Sequence, residues 1–347
     1  MADGNERFGY DDASRAEREI GLKLGDHGLD KANIKQMVIL GSGLGDFAKD
    51  YLDTEKACKP SGPIKVPFSY VYDKLNGGGI DRLGEAVPGH ERALIIGPLK
   101  GSTDGSLVMA QAGREHPYEG VSTRRATFWL RVAQLMGVKD LIGSNAAGIL
   151  TPQTLEEYSI MLVHSDRDYG NDNPLIGQND ERFGPRFPHR ADSYPVEIRE
   201  IVKRLAGEMG IDLKEGTYFR LLGPNYESTE DVYDLRGDLR RRWEEGRAES
   251  DPRFMGEPVG VVGMSSTYEN MVAQHASQAD KAKGYPAFEN RAYFSAVINY
   301  AALLGLSGLI TNRVLDHAHV EDAAKKVTEN MSRLVQGTLL KLRKRAD

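Results

Sequence analysis

The chain has 347 residues, room for one large α/β domain or two ordinary ones. A balance of 40% hydrophobic and 28% charged residues excludes a disordered or fibrous chain. The net charge of −6 is mixed along the chain without a basic stripe, which argues against nucleic acid as a partner. No apolar stretch approaches the roughly 20 residues that a membrane helix needs. Residues 1–18 are polar and charged, unlike a secretory signal or a lipid anchor. The single cysteine, Cys58, excludes an internal disulfide and a multi-cysteine metal site, and a lone thiol fits a reducing compartment better than a nucleophile. A soluble, cytoplasmic protein without membrane or nucleic-acid partners is expected.

In chain order, residues 1–20 read as a polar tail before a body spanning 21–347, and helical spacing sets in over 14–29. Short apolar runs that end in glycine or polar turns follow at 37–40, 92–96, 106–110, 140–142, 158–163, 217–222, 259–262 and 306–310. Such runs predict buried strands. Segments of helical period lie between several of them, at 125–136 and 196–209. Strands alternating with helices predict an α/β fold, a single domain whose largely parallel, helix-covered central sheet curls partly toward a barrel. The chain closes on a long amphipathic helix over 320–345, whose Val327, Met331, Leu334, Val335 and Leu339 form one core-facing stripe. Two segments break the pattern. Residues 75–84, with three consecutive glycines at 77–79, read as a loop, and the highly charged 236–257 reads as a surface insertion that is part helical.

Six stretches carry candidate chemistry. In "VILGSGLGD" a strand runs into Gly41-Ser42-Gly43-Leu44-Gly45, so backbone N–H groups and the Ser42 hydroxyl could hold an anion. Neither the dinucleotide GxGxxG nor the Walker pattern is met, and a tight turn without ligand explains the glycines equally well. In "QAGREHPYEG", Arg114 and His116 alternate at a strand end and share a face, a plausible oxyanion pair. A surface Arg–Glu pair beside a structural histidine explains them too. "SNAAG" places small residues, Asn145 to Gly148, at a strand end, where α/β sheets admit ligands. "GPNYES" sets Glu227 beside Tyr226, suiting the edge of a heteroaromatic ring. "GMSS" brings Ser265, and "LITNRVLDHAH" brings Asn312 and His317. Ordinary turn chemistry accounts for each of these singly. His317 and His319 lack any metal-ligand spacing, so no metal site is expected.

Taken together, "GSGLG", "VPGH", "RxHxYEG", "SNAAG", "NPLxGxNDERFGxRFP", "GPNYES", "GMSSxxE" and "ITN" in this order resemble the homotrimeric purine nucleoside phosphorylases from about residue 38 to 339. The resemblance implies a mixed, partly barrel-like sheet surrounded by helices, with active sites near subunit boundaries. It also implies conversion of a purine nucleoside and orthophosphate to free base and ribose 1-phosphate, with no cofactor. Carried onto this sequence, it assigns phosphate to Ser42, His90, Arg114, His116, Ser265 and the backbone N–H of Ala146. The sugar falls to Tyr118, Tyr226, Met264 and His317, and the base to Glu227 and Asn312; His116, Glu227 and Asn312 carry the catalytic roles. Methylthioadenosine phosphorylases have an Asp where Asn312 stands, so the resemblance is to the 6-oxopurine type, acting on inosine and guanosine in purine salvage. The alternatives are a methylthioadenosine or adenosine phosphorylase and a catalytically silent binding homologue. The chain departs from the family pattern in three places. Ser165-Asp166-Arg167-Asp168 replaces Asp-His-Ile-Asn before a shortened loop, in which Tyr169 is the nearest equivalent of the aromatic that closes a neighbour's pocket. Tyr268 replaces a proline, and 236–257 is extra.

Overall fold

Apolar side chains that point to both faces of a strand require cover on both sides, and the strands here are buried in that way. The computed structural model describes residues 8–41, 44, 46–52, 63–76, 91–301 and 317–346, side chains of 76, 317–326 and 346 excepted. The first half comprises α1 (Tyr10–Gly25), β1 (Ile34–Leu40), α2 (Phe47–Tyr51), β2 (Ile64–Pro67), α3 (Phe68–Asn76), β3 (Ala93–Pro98) and β4 (Leu107–Ala112). Next come α4 (Thr123–Ala126), α5 (Phe128–Leu135), β5 (Asp140–Ile149), β6 (Ile160–Asp168), α6 (Val196–Met209) and β7 (Leu213–Arg220). The remainder is α7 (Thr229–Ala248), β8 (Gly260–Gly263), α8 (Thr267–Ser277), β9 (Asn290–Tyr300) and α9 (His317–Ala346).

The described strands form one nine-stranded mixed sheet in the order β2-β3-β4-β1-β5-β8-β7-β6-β9. A further parallel pairing of β5 with β9 closes β5, β8, β7, β6 and β9 into a ring. The fold is therefore a single α/β domain with a partly barrel-like sheet inside a layer of helices. The parallel register of β1 with β4 and with β5 lines their carboxyl ends up on one edge. On α9, Val327, Met331, Leu334, Val335 and Leu339 are buried at helical spacing against β9 and α6, each contributing about 1.5–3 kcal/mol of burial. No helix among the described residues is long and apolar enough to cross a membrane.

Two boundaries differ from those read off the sequence. The division at residue 20 between tail and body does not hold, because α1 starts at Tyr10 and buries Ala13, Ala16, Ile20 and Leu24 against α3 and α5. Small alanines let this helix pack closely, and the charges around them disguise the stripe. The helical part of segment 236–257 does not begin at Arg236. It lies mostly within α7, whose start is capped by Ser228 accepting from Asp231 N, and Leu235, Leu239 and Gly246 are buried on its inner side. Its arginines and glutamates pair along the outer face, as Arg240 with Glu244 and Arg241 with Glu245 do. The expected strand at 306–310, the triple glycine at 77–79 and Cys58 lie outside the described residues. Neither β2, α3 nor β9 was anticipated from the sequence.

Candidate active site

The carboxyl ends of β4, β5, β7, β8 and β9 gather around one cleft with a cavity volume of about 120 Å³, and the end of β1 packs against β5 beside it. This is where α/β sheets present ligands, because chain reversals there expose backbone and loop side chains. At the end of β1 the chain needs a glycine for a steric reason. A Cβ on Gly41 would lie 2.5 Å from the Ser144 carbonyl oxygen and 2.9 Å from Asn145 Cα. Ser144 Oγ locks this approach, accepting from Gly41 N and donating to the Ile39 carbonyl, both at 2.9 Å.

Beyond β4, Arg114, Glu115 and His116 alternate. Glu115 turns away, pairing with Arg125 at 2.8 Å and accepting from Tyr72 Oη at 2.6 Å. Arg114 and His116 consequently share the opposite side and both line the cleft. Arg114 is almost fully buried; its Nε donates to Glu269 Oε1 of α8 at 2.5 Å and its Nη2 donates to the Ser144 carbonyl. These bonds orient the guanidinium plane and give it a counter-charge. His116 Nε2 lies 3.1 Å from Ser265 Oγ, and its ring stacks on Tyr118 at 4.6 Å between centroids. The His116 backbone N–H donates to Glu119 Oε2 at 2.6 Å. Burial alone would raise the Glu119 carboxyl, but its bonds to His116 and the nearby Arg92 outweigh that and hold it down to about 2. Burial pushes the Tyr118 phenol up to about 12, so it remains a neutral donor.

The turn from β8 into α8 carries Met264 and Ser265. Ser265 N donates to Tyr218 Oη at 3.1 Å, and Asn145 Nδ2 donates to Ser266 Oγ at 2.9 Å. Asn145 Oδ1, from the same buried side chain, has no hydrogen-bond partner among the described residues and stands at the cleft lining. After β7, Leu221, Tyr226 and the buried Glu227 complete one wall. Opposing polar and apolar groups in one cleft can hold a small ligand with both a charged and an aromatic part.

The structure thus brings Arg114, His116, Tyr118, Ala146, Tyr226, Glu227, Met264 and Ser265 together. Ser42, His90 and Asn312 lie outside the described residues, and His317 opens α9 without a described side chain. Sequence reasoning missed Ile298 and Asn299 at the end of β9. Pairing of β9 with β5 slips between Ala147 and Gly148, whose partners are Val297 and Asn299, leaving Ile298 as an extra residue. Such a bulge re-aims side chains, and here both Ile298 and Asn299 line the cleft. The available signal was the alternation Ala292, Phe294, Ala296, Ile298 ending in an asparagine. Residue Glu269, the partner of Arg114, was visible only as a letter in a motif.

The model of the phosphorylase superfamily matches residues 80–340. Among curated proteins the chain is similar to purine nucleoside phosphorylase of Mus musculus, 34% identical, covering 72% of this chain and 74% of that one. It is also similar to purine nucleoside phosphorylase 1 of Geobacillus stearothermophilus, 29% identical, covering 88% and 91%. Among solved structures, Schistosoma mansoni purine nucleoside phosphorylase in complex with inosine has the same fold, with a TM-score of 0.70, 23% identity and coverage of 96% of both chains. With most of its length matched by the superfamily model, and with relatives of this similarity and coverage, the chain belongs to the purine nucleoside phosphorylase family of the phosphorylase superfamily.

Proposed function

We propose that this protein phosphorolyses 6-oxopurine nucleosides, inosine and guanosine and their 2′-deoxy forms, to free base and pentose 1-phosphate. The observation that carries this reading is the joint presence, in one cleft, of Arg114, His116 and Ser265, which can donate to an anion, with Glu227 and Asn299, whose carboxylate and amide suit the edge of a purine. Orthophosphate is taken by Arg114, His116, Ser265 and the Ala146 N–H, with Ser42 and His90 added by family pattern. Guanidinium and neutral donors suit its oxygens. Tyr118, Tyr226, Met264 and His317 surround the sugar.

As the glycosidic C1′–N9 bond breaks, its electron pair passes to the purine and positive charge builds on the sugar. The phosphate held below stabilises that charge and then bonds to C1′ from close range. An amide N–H at N7 favours departure of the base, while Glu227 accepts from its N1–H edge. We assign the amide to Asn299, which lines the cleft; Asn312 is the alternative from the sequence, and the two are separable by mutation. No covalent enzyme intermediate is required.

The protein is further read as a cytoplasmic homotrimer without cofactor, membrane or nucleic-acid partner, in which the half-exposed Tyr169 approaches a neighbour's cleft. Sedimentation at micromolar concentration tests the trimer. The activity test is incubation with inosine, guanosine, adenosine and methylthioadenosine, with and without phosphate. Phosphate-dependent release of hypoxanthine and guanine is expected. Release without phosphate would mean a hydrolase, release only from 6-aminopurine nucleosides would overturn the specificity, and no release would mean a binding homologue.

A further inference from the structure

We propose that Arg220 is a positioning residue for the phosphate end of the cleft, acting through Tyr268 on the turn that carries Ser265. The proposal rests on the phosphorolytic reading above. Arg220 ends β7 with no exposed surface. Its Nε donates to Asp168 Oδ1 at 2.8 Å, and its Nη2 stands 2.7 Å from the same oxygen. Nη2 also donates to Tyr268 Oη, with the guanidinium carbon 3.7 Å from the centre of that ring. The fit leaves no spare volume, since a Cβ on Gly170 would fall 1.6 Å from Nη2.

Two of the places where the chain departs from its family's pattern, the 165–168 run and position 268, therefore meet on one buried arginine. Their partner's location explains what they do. Arg220 pairs in register with Gly263, the last residue of β8, and the next residues form the turn. Ser266 there has φ +71°, a conformation that a serine keeps only when its surroundings enforce it. Tyr218 and Arg220 lie on the same face of β7, two residues apart. Tyr218 Oη receives the Ser265 N–H before the strained residue, and Arg220 grips Tyr268 after it. Held from both sides, the turn places Ser265 Oγ 3.1 Å from His116 Nε2. Ionisable groups around the pair are Asp168 and, near Tyr268, Asp172, with Asp166 and its partner Arg190 reached two residues earlier on β6.

Tyr268→Phe removes the gripped hydroxyl and keeps the ring. It is expected to raise the KM for phosphate about five- to tenfold while the nucleoside KM changes by less than about twofold. In a Ser265→Ala background the same substitution should alter the phosphate KM by less than about twofold, because the residue it positions is gone. Asp168→Asn, which loosens Arg220 from its other side, should raise the phosphate KM in the same direction and decides the matter if Tyr268→Phe does not fold. A wild-type phosphate KM in these variants, or an effect of equal size in the Ser265→Ala background, overturns the positioning role. A wild-type enzyme with no phosphate-dependent base release overturns the proposed function itself, so the two failures are distinguishable.

Discussion

Replacing Asn299 by aspartate tests which residue reads the base. The side chain is buried at the end of β9, with Nδ2 donating to the Tyr300 carbonyl at 2.9 Å and Gly148 packed opposite. An aspartate there cannot swing into solvent. On the proposed assignment it loses the N–H offered to N7 and the 6-oxo edge of the base and presents an acceptor to acceptors. Losing a hydrogen bond in a buried site costs about 1–3 kcal/mol. With acceptor facing acceptor, a total near 3 kcal/mol is reasonable, which corresponds to roughly a hundredfold loss of kcat/KM for inosine. A 6-amino group donates, so the relative preference for adenosine should rise. The assay compares kcat/KM for inosine and adenosine at saturating phosphate in wild type, Asn299→Asp and Asn312→Asp. Inosine turnover retained within about twofold in Asn299→Asp, together with its collapse in Asn312→Asp, would refute the assignment.

Gly41→Ala should destabilise the fold by about 1–3 kcal/mol and raise the phosphate KM, because the new methyl meets backbone atoms of Ser144 and Asn145 that cannot yield; thermal melting and steady-state kinetics check both. Burial lowers His164 to about 4 and His275 to about 3, so both are neutral in the folded protein near pH 6. Because the unfolded chain binds the extra protons, stability should fall as pH drops below about 6.5, by up to about 1.4 kcal/mol per pH unit for each histidine. His164→Gln should flatten that slope between pH 6.5 and 4 in denaturant titrations, and an unchanged slope would show that the residue is not responsible. Leu334→Ala, at the centre of the buried face of α9, should cost about 2–5 kcal/mol by equilibrium unfolding, with the KM values little altered.

Much of the framework was legible in the residues because it depends on local pattern. The α6 boundaries match the 196–209 period, and the α9 stripe from Val327 to Leu339 is buried as its spacing requires. Arg114 and His116 share one face as their alternation suggested, although β4 ends at Ala112 and the extended chain beyond it carries them. Motif order alone was enough to indicate the family. What was not legible depends on distant partners. The segment of β9 reads as one more apolar run, and only its pairing with β5, including the slip at Ile298, turns Asn299 into the cleft. The "ITN" that ends in Asn312 lies outside the described residues, so mutation decides between the two asparagines. The helical start at Tyr10 is hidden because alanines supply close packing with little hydrophobic signal. Likewise Asp168 and Tyr268, a hundred positions apart, read as unrelated departures until Arg220 joins them. Composition and periodicity determine which segments bury which face, because those preferences act over a few residues. Which strand ends share a cleft is decided by closure of the ring, a long-range contact that no local preference encodes.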